Sequence, residues 1–492
     1  MKQPLLYGIV FSLLMPQCVD ANEQNQNDQA KLNQAIKTEQ QTLQKALLNK
    51  QSLEESNVSR KDDYTRFTGK YLVEHPEILE KILVESLINT NKQVLPTLIA
   101  LYKRVPNRDE SLLEWGNAIL LTDTNLNDSV SEYRKLLANF PDNNFIRFQL
   151  ARVLFFNQEF DASKNQFEKL RAADNVSAQD REVFNQFISA INEKSQWTYS
   201  FGITYLNDKN LSNSAKEGTI VVLPNGQTAV YNTPRQKGNG VGISLGANKQ
   251  WALSGGKYIV LNTGMNTKYY WNNKNYNDLT GVFGLGLGYS DARFNIEVQP
   301  YVNKRWYSGG VNGSESLKQY YDTYGVSLST SYWLNQSFKY SFYYDYGYEK
   351  YKQENYATQY QGGTHLISNS LMYVPSPTQY WALSLDLMMK NARDKSNSFL
   401  REGARLSWGQ EWPLGISTNT SFGIAKRNYK EASFLGKQKN NEYNASISIW
   451  NKKIHYAGFT PRLTWIYTKT NSNISLYTYD KNQMVIEATR TF

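Results

Sequence analysis

From Trp197 to Phe492, apolar side chains recur at every second position, and this change of rhythm limits the chain more than any other feature. Such alternation places successive side chains on opposite faces of a strand. In "GVGISLGA", Val241, Ile243, Leu245 and Ala247 face one way, and Gly242, Ser244 and Gly246 the other. "WALSLDLMMK" sets Trp381, Leu383, Leu385, Leu387 and Met389 against Ser384, Asp386 and Lys390. The period predicts about fourteen strands. They fall near 197–206, 240–250, 257–269, 279–289, 292–305, 319–333, 337–350, 363–373, 378–390, 399–411, 414–427, 440–451, 458–469 and 482–492. A β-sandwich would alternate in the same way, so the connections decide. Long or charged loops near 207–239, 270–278, 306–318, 351–362, 391–398, 428–439 and 470–481 alternate with tight turns. The turns read "LSGG", "YSDA", "LNQS", "PSPT" and "WPLG", with "NKKIHYAG" somewhat longer. Long loops at one end and tight turns at the other predict an antiparallel transmembrane β-barrel.

The last stretch, "MVIEATRTF", sets Met484, Ile486, Ala488 and Phe492 on one face and Gln483, Val485, Glu487, Thr489 and Thr491 on the other. Within lipid every backbone N–H and C=O must be paired, so this strand is expected to close against the one beginning at Trp197. Mean hydropathy is −0.59, and no stretch after the N-terminus offers the roughly 18 apolar residues of a spanning helix. Aromatic residues reach 14%, with 35 tyrosines, which suits rings banded at a polar–apolar boundary.

The N-terminus reads as a signal peptide over residues 1–21. Lys2 precedes an apolar run from Leu5 to Met15, and Val19-Asp20-Ala21 offers small residues for cleavage. The only cysteine, Cys18, falls inside it; a lipid anchor there would need small residues before the cysteine, and "LMPQC" lacks them. Residues 22–64 are rich in Gln, Asn and Lys, with Leu32, Ile36, Leu43 and Leu47 weakly periodic, and read as a polar tether or fraying helix. Over 65–193 the period becomes helical. "PDNNFIRFQLARVLFFNQEFDASKNQFEKLRA" carries Leu150-Ala151, Leu154, Ser163, Phe167 and Leu170 at the spacing of a tetratricopeptide repeat. The unit before it repeats the theme with Trp115-Gly116, Ile119, Tyr133, Leu137 and Pro141. Stacked helix pairs leave a concave face, on which Asn117, Phe148 and Arg152 are expected. The fold class is therefore α + β multidomain: a tetratricopeptide-like helical repeat domain over 65–193, then a 14-stranded antiparallel barrel over 194–492.

The junction "EKSQWTYSFGITYLNDKNLSN", an aromatic first strand followed by an Asn-rich segment, resembles the domain boundary of the surface lipoprotein assembly modulators. The pairing of helical repeats with a C-terminal barrel resembles that family over nearly the whole chain after the leader. The resemblance implies an outer-membrane translocator of the type XI secretion system, with its N-terminal domain in the periplasm. Its clients would be surface lipoproteins or secreted haem- and iron-binding proteins, and no cofactor is implied. Phe492 resembles the terminal aromatic signal read by the barrel-assembly machinery, with Met484 and Ile486 before it. Arg490 departs from that signal, standing where an aromatic is common, and a snorkelling side chain is expected there. Outer-membrane lipid and periplasmic chaperones complete the implied partners, and a monomer is expected.

No catalytic or metal-binding pattern accompanies this architecture, and an enzyme is not expected. His75, His365 and His455 are far apart, and no nucleophile elbow, metal-ligand spacing or phosphate loop occurs. "GLGLG" at 284–288 is a strand with inward glycines, because no helix follows it. Net charge is +10, which reads first as a solvated, mildly basic surface and second as attraction to anionic headgroups or an acidic client; without a basic cluster, nucleic acid is not expected. By parity Glu297, Asp386, Arg405, Arg462 and Glu487 point into the lumen. The alternative to a translocator is a passive porin or small-molecule channel carrying a helical accessory domain.

Overall fold

The computed structural model describes residue 31 and residues 67–491, apart from 174, 175, 195, 292 and 336. The expected signal peptide and, except for Lys31, the expected tether lie outside the described residues. The helices are α1 (Gly69–Glu74), α2 (Pro76–Ile88), α3 (Leu95–Tyr102), α4 (Glu110–Leu121), α5 (Leu126–Asn139), α6 (Asn144–Phe156), α7 (Phe160–Ala172) and α8 (Ala178–Lys194). Asparagine side chains start two of them. Asn125 accepts from the amides of Asn127 and Asp128, and Asn143 from those of Phe145 and Ile146, satisfying donors that a helix start leaves free.

Pairs α4/α5 and α6/α7 repeat one packing device. Ser129 Oγ on α5 donates to the Ala118 carbonyl on α4 at 2.7 Å, and Ser163 Oγ on α7 donates to the Ala151 carbonyl on α6 at 2.8 Å. Ala118 and Ala151 are the small residues that let each pair approach this closely, and both are fully buried. Tyr133 and Phe167 fill equivalent positions against them, each burying an aromatic side chain that contributes about 1.5–3 kcal/mol. A buried amide joins the stack: Gln149 Oε1 accepts from Trp115 Nε1 and Tyr133 Oη, and Gln149 Nε2 donates to the Leu87 carbonyl.

After Trp197 the chain forms strands only, apart from short helical turns in its connections. They are β1 (Thr198–Asp208), β2 (Thr219–Val222), β3 (Thr228–Tyr231), β4 (Gly238–Ala252), β5 (Lys257–Tyr270), β6 (Asp278–Ser290), β7 (Phe294–Tyr307) and β8 (Lys318–Trp333). There follow β9 (Phe338–Tyr351), β10 (Gly362–Ser376), β11 (Gln379–Ala392), β12 (Phe399–Glu411), β13 (Ile416–Ser433), β14 (Gly436–Asn451), β15 (Thr460–Ser472) and β16 (Tyr479–Thr491). All but β2 and β3 pair in sequence order, and β16 returns to β1, closing a barrel of fourteen strands. The closing register sets Phe201 opposite Arg490, Ile203 opposite Ala488 and Tyr205 opposite Ile486. Outward positions are apolar and exposed, as Phe283, Leu285, Leu287, Leu383, Leu385, Ile447 and Ile449 show. Closure leaves no sheet edge for lipid to meet.

Inward tyrosines are seated on inward glycines directly across three strand pairs: Tyr258 on Gly288, Tyr301 on Gly325 and Tyr380 on Gly409. A Cβ added at Gly409 would lie 2.0 Å from the Tyr380 ring. Gly409→Val should therefore destabilise the barrel by about 3 kcal/mol, the upper end of overpacking costs. Urea unfolding in lipid vesicles would measure this, and adding Tyr380→Ala should recover most of it. Equal losses with and without Tyr380→Ala would show that the ring is not the obstacle.

The connections differ in kind at the two ends. Tight turns join β4 to β5, β6 to β7, β8 to β9, β10 to β11 and β12 to β13. At the other end the first loop contains the β2–β3 hairpin, and the loop after β9 contains a short helix, α9 (Glu354–Tyr360). Neither stands out in the sequence, since four-residue strands and a two-turn helix are too short to set a period. Tyr270, Tyr276, Tyr307, Tyr320, Tyr321, Tyr351, Tyr356 and Tyr360 pack into one buried cluster at this end. Arg305 lies against three of these rings and binds Asp278, its Nη2 2.5 Å from Oδ2. Much of the tyrosine excess is thus interior.

Candidate client groove and barrel interior

An open groove runs between α4 and α5. Its floor is Leu120 and Leu121, and Glu114, Asn117, Asp128 and Glu132 stand around it. Asn117 and Glu114 are exposed because they occupy the phase of α4 opposite Leu112, Trp115 and Ile119, which face the core. An apolar floor ringed by carboxylates suits a segment that mixes apolar and basic side chains.

Phe148 and Arg152 stand elsewhere. Phe148 is half-buried on α6, with ring centroids 6.2 Å from Phe167 and 5.7 Å from Phe184. Arg152 lies over the Phe148 ring at 5.7 Å. Burial depresses its guanidinium below the ordinary value, and the nearby Tyr133 opposes that shift. Much of this pair's surface belongs to packing between successive helices. The helical phase that puts Asn117 in the open turns Phe148 toward α7 and α8.

The helical repeats dock on the tight-turn end of the barrel. Between α6 and α7, Asn157 donates to Asn127 at 2.8 Å, and Arg134 pairs with Glu159 at 2.7 Å. These contacts hold Gln158 at φ +63°, a left-handed backbone that a non-glycine residue seldom adopts. From there Gln158 Nε2 donates to the Asp291 carbonyl at 2.7 Å, while Ser290 Oγ donates to Gln158 Oε1 at 2.8 Å. No sequence pattern marks this glutamine; an Asn or Gly at a left-handed position would have been a signal. Gln158→Ala should loosen the docking by about 1–3 kcal/mol, two hydrogen bonds at 0.5–1.5 kcal/mol each. Faster protease cleavage between 172 and 197 would report it, and an unchanged rate would remove Gln158 from the contact.

Inside the barrel, Asp386 accepts from Ser368 Oγ at 2.6 Å and from Arg405 Nη1 at 3.3 Å. Glu297 stands on another part of the wall and accepts from Tyr258 Oη at 3.1 Å. Arg462 stacks over Trp450 at 4.3 Å, with Glu487 opposite it across β15–β16. Three further groups join charges that parity alone had not singled out. Glu442 accepts from Arg401 Nε and Arg427 Nε, both at 2.7 Å. Lys481 meets Asp208 at 2.6 Å. Glu349 holds Lys390 at 3.4 Å and Lys31 at 3.0 Å.

Met484 and Ile486 are exposed on the outer face of β16. Phe492 lies outside the described residues. Arg490 donates to the Ala457 carbonyl at 2.6 Å and lies against Gly458, so its guanidinium turns onto the β14–β15 connection instead of reaching outward. The left-handed Ala457 and Gly458 shape that turn around it.

A closed antiparallel barrel with an apolar outer face, carrying tetratricopeptide-like repeats on its tight-turn end, defines the class: a β-barrel membrane protein with a helical repeat domain. The family model for "Surface lipoprotein assembly modifier" matches residues 197–492, and that for its "N-terminal TPR repeats" matches residues 65–167. Surface lipoprotein assembly modifier 1 of Haemophilus influenzae is 36% identical over 86% of this chain and 87% of its own length. Surface lipoprotein assembly modifier 1 of Neisseria meningitidis serogroup B is 28% identical over 88% and 87%. A hemophilin secretion modulator of Acinetobacter baumannii is 22% identical over 86% and 88%. The chain belongs to the surface lipoprotein assembly modifier family.

Proposed function

We propose that this protein is an outer-membrane translocator that delivers specific client proteins to the cell surface. The tight-turn end and the helical repeats face the periplasm, and the long loops face outward. The helical domain engages the client, with Asn117 and the groove around it making the first contact. Phe148 and Arg152 contribute their remaining exposed edges. The barrel supplies the passage or the insertion seam, and Glu297, Asp386, Arg405, Arg462 and Glu487 give its interior a polar lining. The names of the relatives favour a surface lipoprotein or a secreted haem-binding protein as client.

The observation that carries this reading is the docking of the repeats on the barrel rim through Gln158. A groove held beside the barrel entrance can pass a captured segment onward without a diffusional search. A diffusion channel needs no such platform. Met484, Ile486 and the terminal Phe492 then serve barrel insertion by the assembly machinery, and the barrel works as a monomer. The test is co-expression with a candidate lipoprotein or haem-binding client in a Gram-negative host, with protease accessibility on intact cells as the readout. Client exposure should require this protein. Equal exposure without it would overturn the proposal.

A further inference from the structure

The barrel wall at β9 presents an interior site whose ligand comes from far away in the chain. Glu349 is fully buried, and Lys31 Nζ lies 3.0 Å from its Oε1. The other oxygen, Oε2, meets Lys390 Nζ at 3.4 Å and accepts from Tyr351 Oη at 3.3 Å. Asp345, one inward position from Gly347 on the same strand, is also buried and lies within electrostatic range of the Lys31 ammonium. Gly347 stands between the two carboxylates, where a Cβ would come 2.9 Å from Thr323 Cγ2 and 3.0 Å from Tyr301 Oη, with Lys31 Nζ at an ordinary contact distance of 3.6 Å. Beside the site, inward-facing Leu366 and Met388 pack with Phe399 and Tyr429 into a buried apolar patch.

We infer that the barrel interior is occupied at rest by the chain itself, with Lys31 as the ligand of a carboxylate site built by Asp345 and Glu349. Of the named charges at this site, two are carboxylates and Lys390 is the one ammonium on the wall; Lys31 makes the sum neutral. Unbalanced charge in so dry a setting is costly, because weak screening magnifies the electrostatic term. Lys31 therefore fills a need that the strands leave open, and its presence inside the barrel obstructs the lumen. This inference holds whatever the client, and holds for a channel as well as for a translocator.

The test uses the full-length chain reconstituted into lipid bilayers. A zero-length carbodiimide cross-link should join Lys31 to Glu349, read by mass spectrometry of the digested protein. Lys31→Glu should raise the frequency of open-channel events severalfold in planar bilayers, and the swap K31E/E349K should bring it back toward the starting level. Lys31 lies outside the strands, so Lys31→Glu leaves barrel folding intact, checked by heat-modifiable migration on gels. Cross-linking of Lys31 only to the helical domain or to a second copy would overturn the inference. So would identical conductance of the Lys31→Glu variant and the original chain.

Discussion

Replacing Glu442 by alanine is expected to lower barrel stability by about 3–5 kcal/mol, the cost of breaking a buried ion pair from one side. Glu442 is buried on β14 and binds Arg401 from β12 and Arg427 from β13, so one carboxylate ties three successive strands. Arg427 is also fully buried and lies over Phe399 at 4.3 Å. Without Glu442 two guanidinium groups would face each other across a register position, since Arg401 stands opposite Arg427. Glu442→Gln should cost nearly as much, because the amide keeps the shape and loses the charge. Urea unfolding of the reconstituted barrel, followed by tryptophan fluorescence, would measure both. A loss below about 1 kcal/mol, the size expected of a solvated pair, would mean that water reaches the site.

The second large effect concerns the groove of the helical domain. Glu114→Lys together with Glu132→Lys should reduce client exposure at the cell surface about tenfold, equal to about 1.4 kcal/mol of binding. Neither residue caps a helix, and Glu114 is exposed while Glu132 is half-buried at the groove edge, so the repeats should keep their fold. Circular dichroism would confirm that, leaving the surface assay to report client engagement alone. The same variants should leave the level of barrel in the membrane unchanged. Undiminished client exposure would move the point of contact away from α4 and α5.

The fold was legible because both of its parts are periodic. Alternation over 197–492 located fourteen barrel strands to within a few residues, and the turn-length rhythm separated a barrel from a sandwich. Leu150-Ala151 with Ser163 and Phe167, and Trp115-Gly116 with Ile119 and Tyr133, marked the two helix pairs in the sequence; that Ala118 and Ser129 match Ala151 and Ser163 emerged only from the structure. The interior was less legible, because parity gives the side of a strand that a residue faces and not the partner it meets. Asp386 and Arg405 both point inward and do meet; Glu297 points inward and meets a tyrosine. Gln158 carried no signal, since its importance lies in a backbone angle and a distant turn. Lys31 carried none either: one lysine in a run of polar residues says nothing about a carboxylate more than three hundred positions away. Phe148 shows the limit of repeat logic, for its half-buried ring packs against Phe167 of its own helix pair and Phe184 of the helix that follows.

The three tyrosine–glycine seats have a consequence for how the wall is put together. They lie on β5/β6, β7/β8 and β11/β12, and a shift by one residue would send each ring to the lipid side. A shift by two would drive Tyr301 onto Thr323 or Ser327 and Tyr380 onto Ser407 or Glu411, whereas Tyr258 would meet a second glycine, Gly286, on one side. A hairpin added out of step would fail to lock at its own seat before the next hairpin arrived. Errors would thus be rejected locally, strand pair by strand pair, instead of surviving to the final joining of β1 with β16. Gly325 and Gly409, each flanked by side chains on both sides, would then serve as register notches in the growing wall.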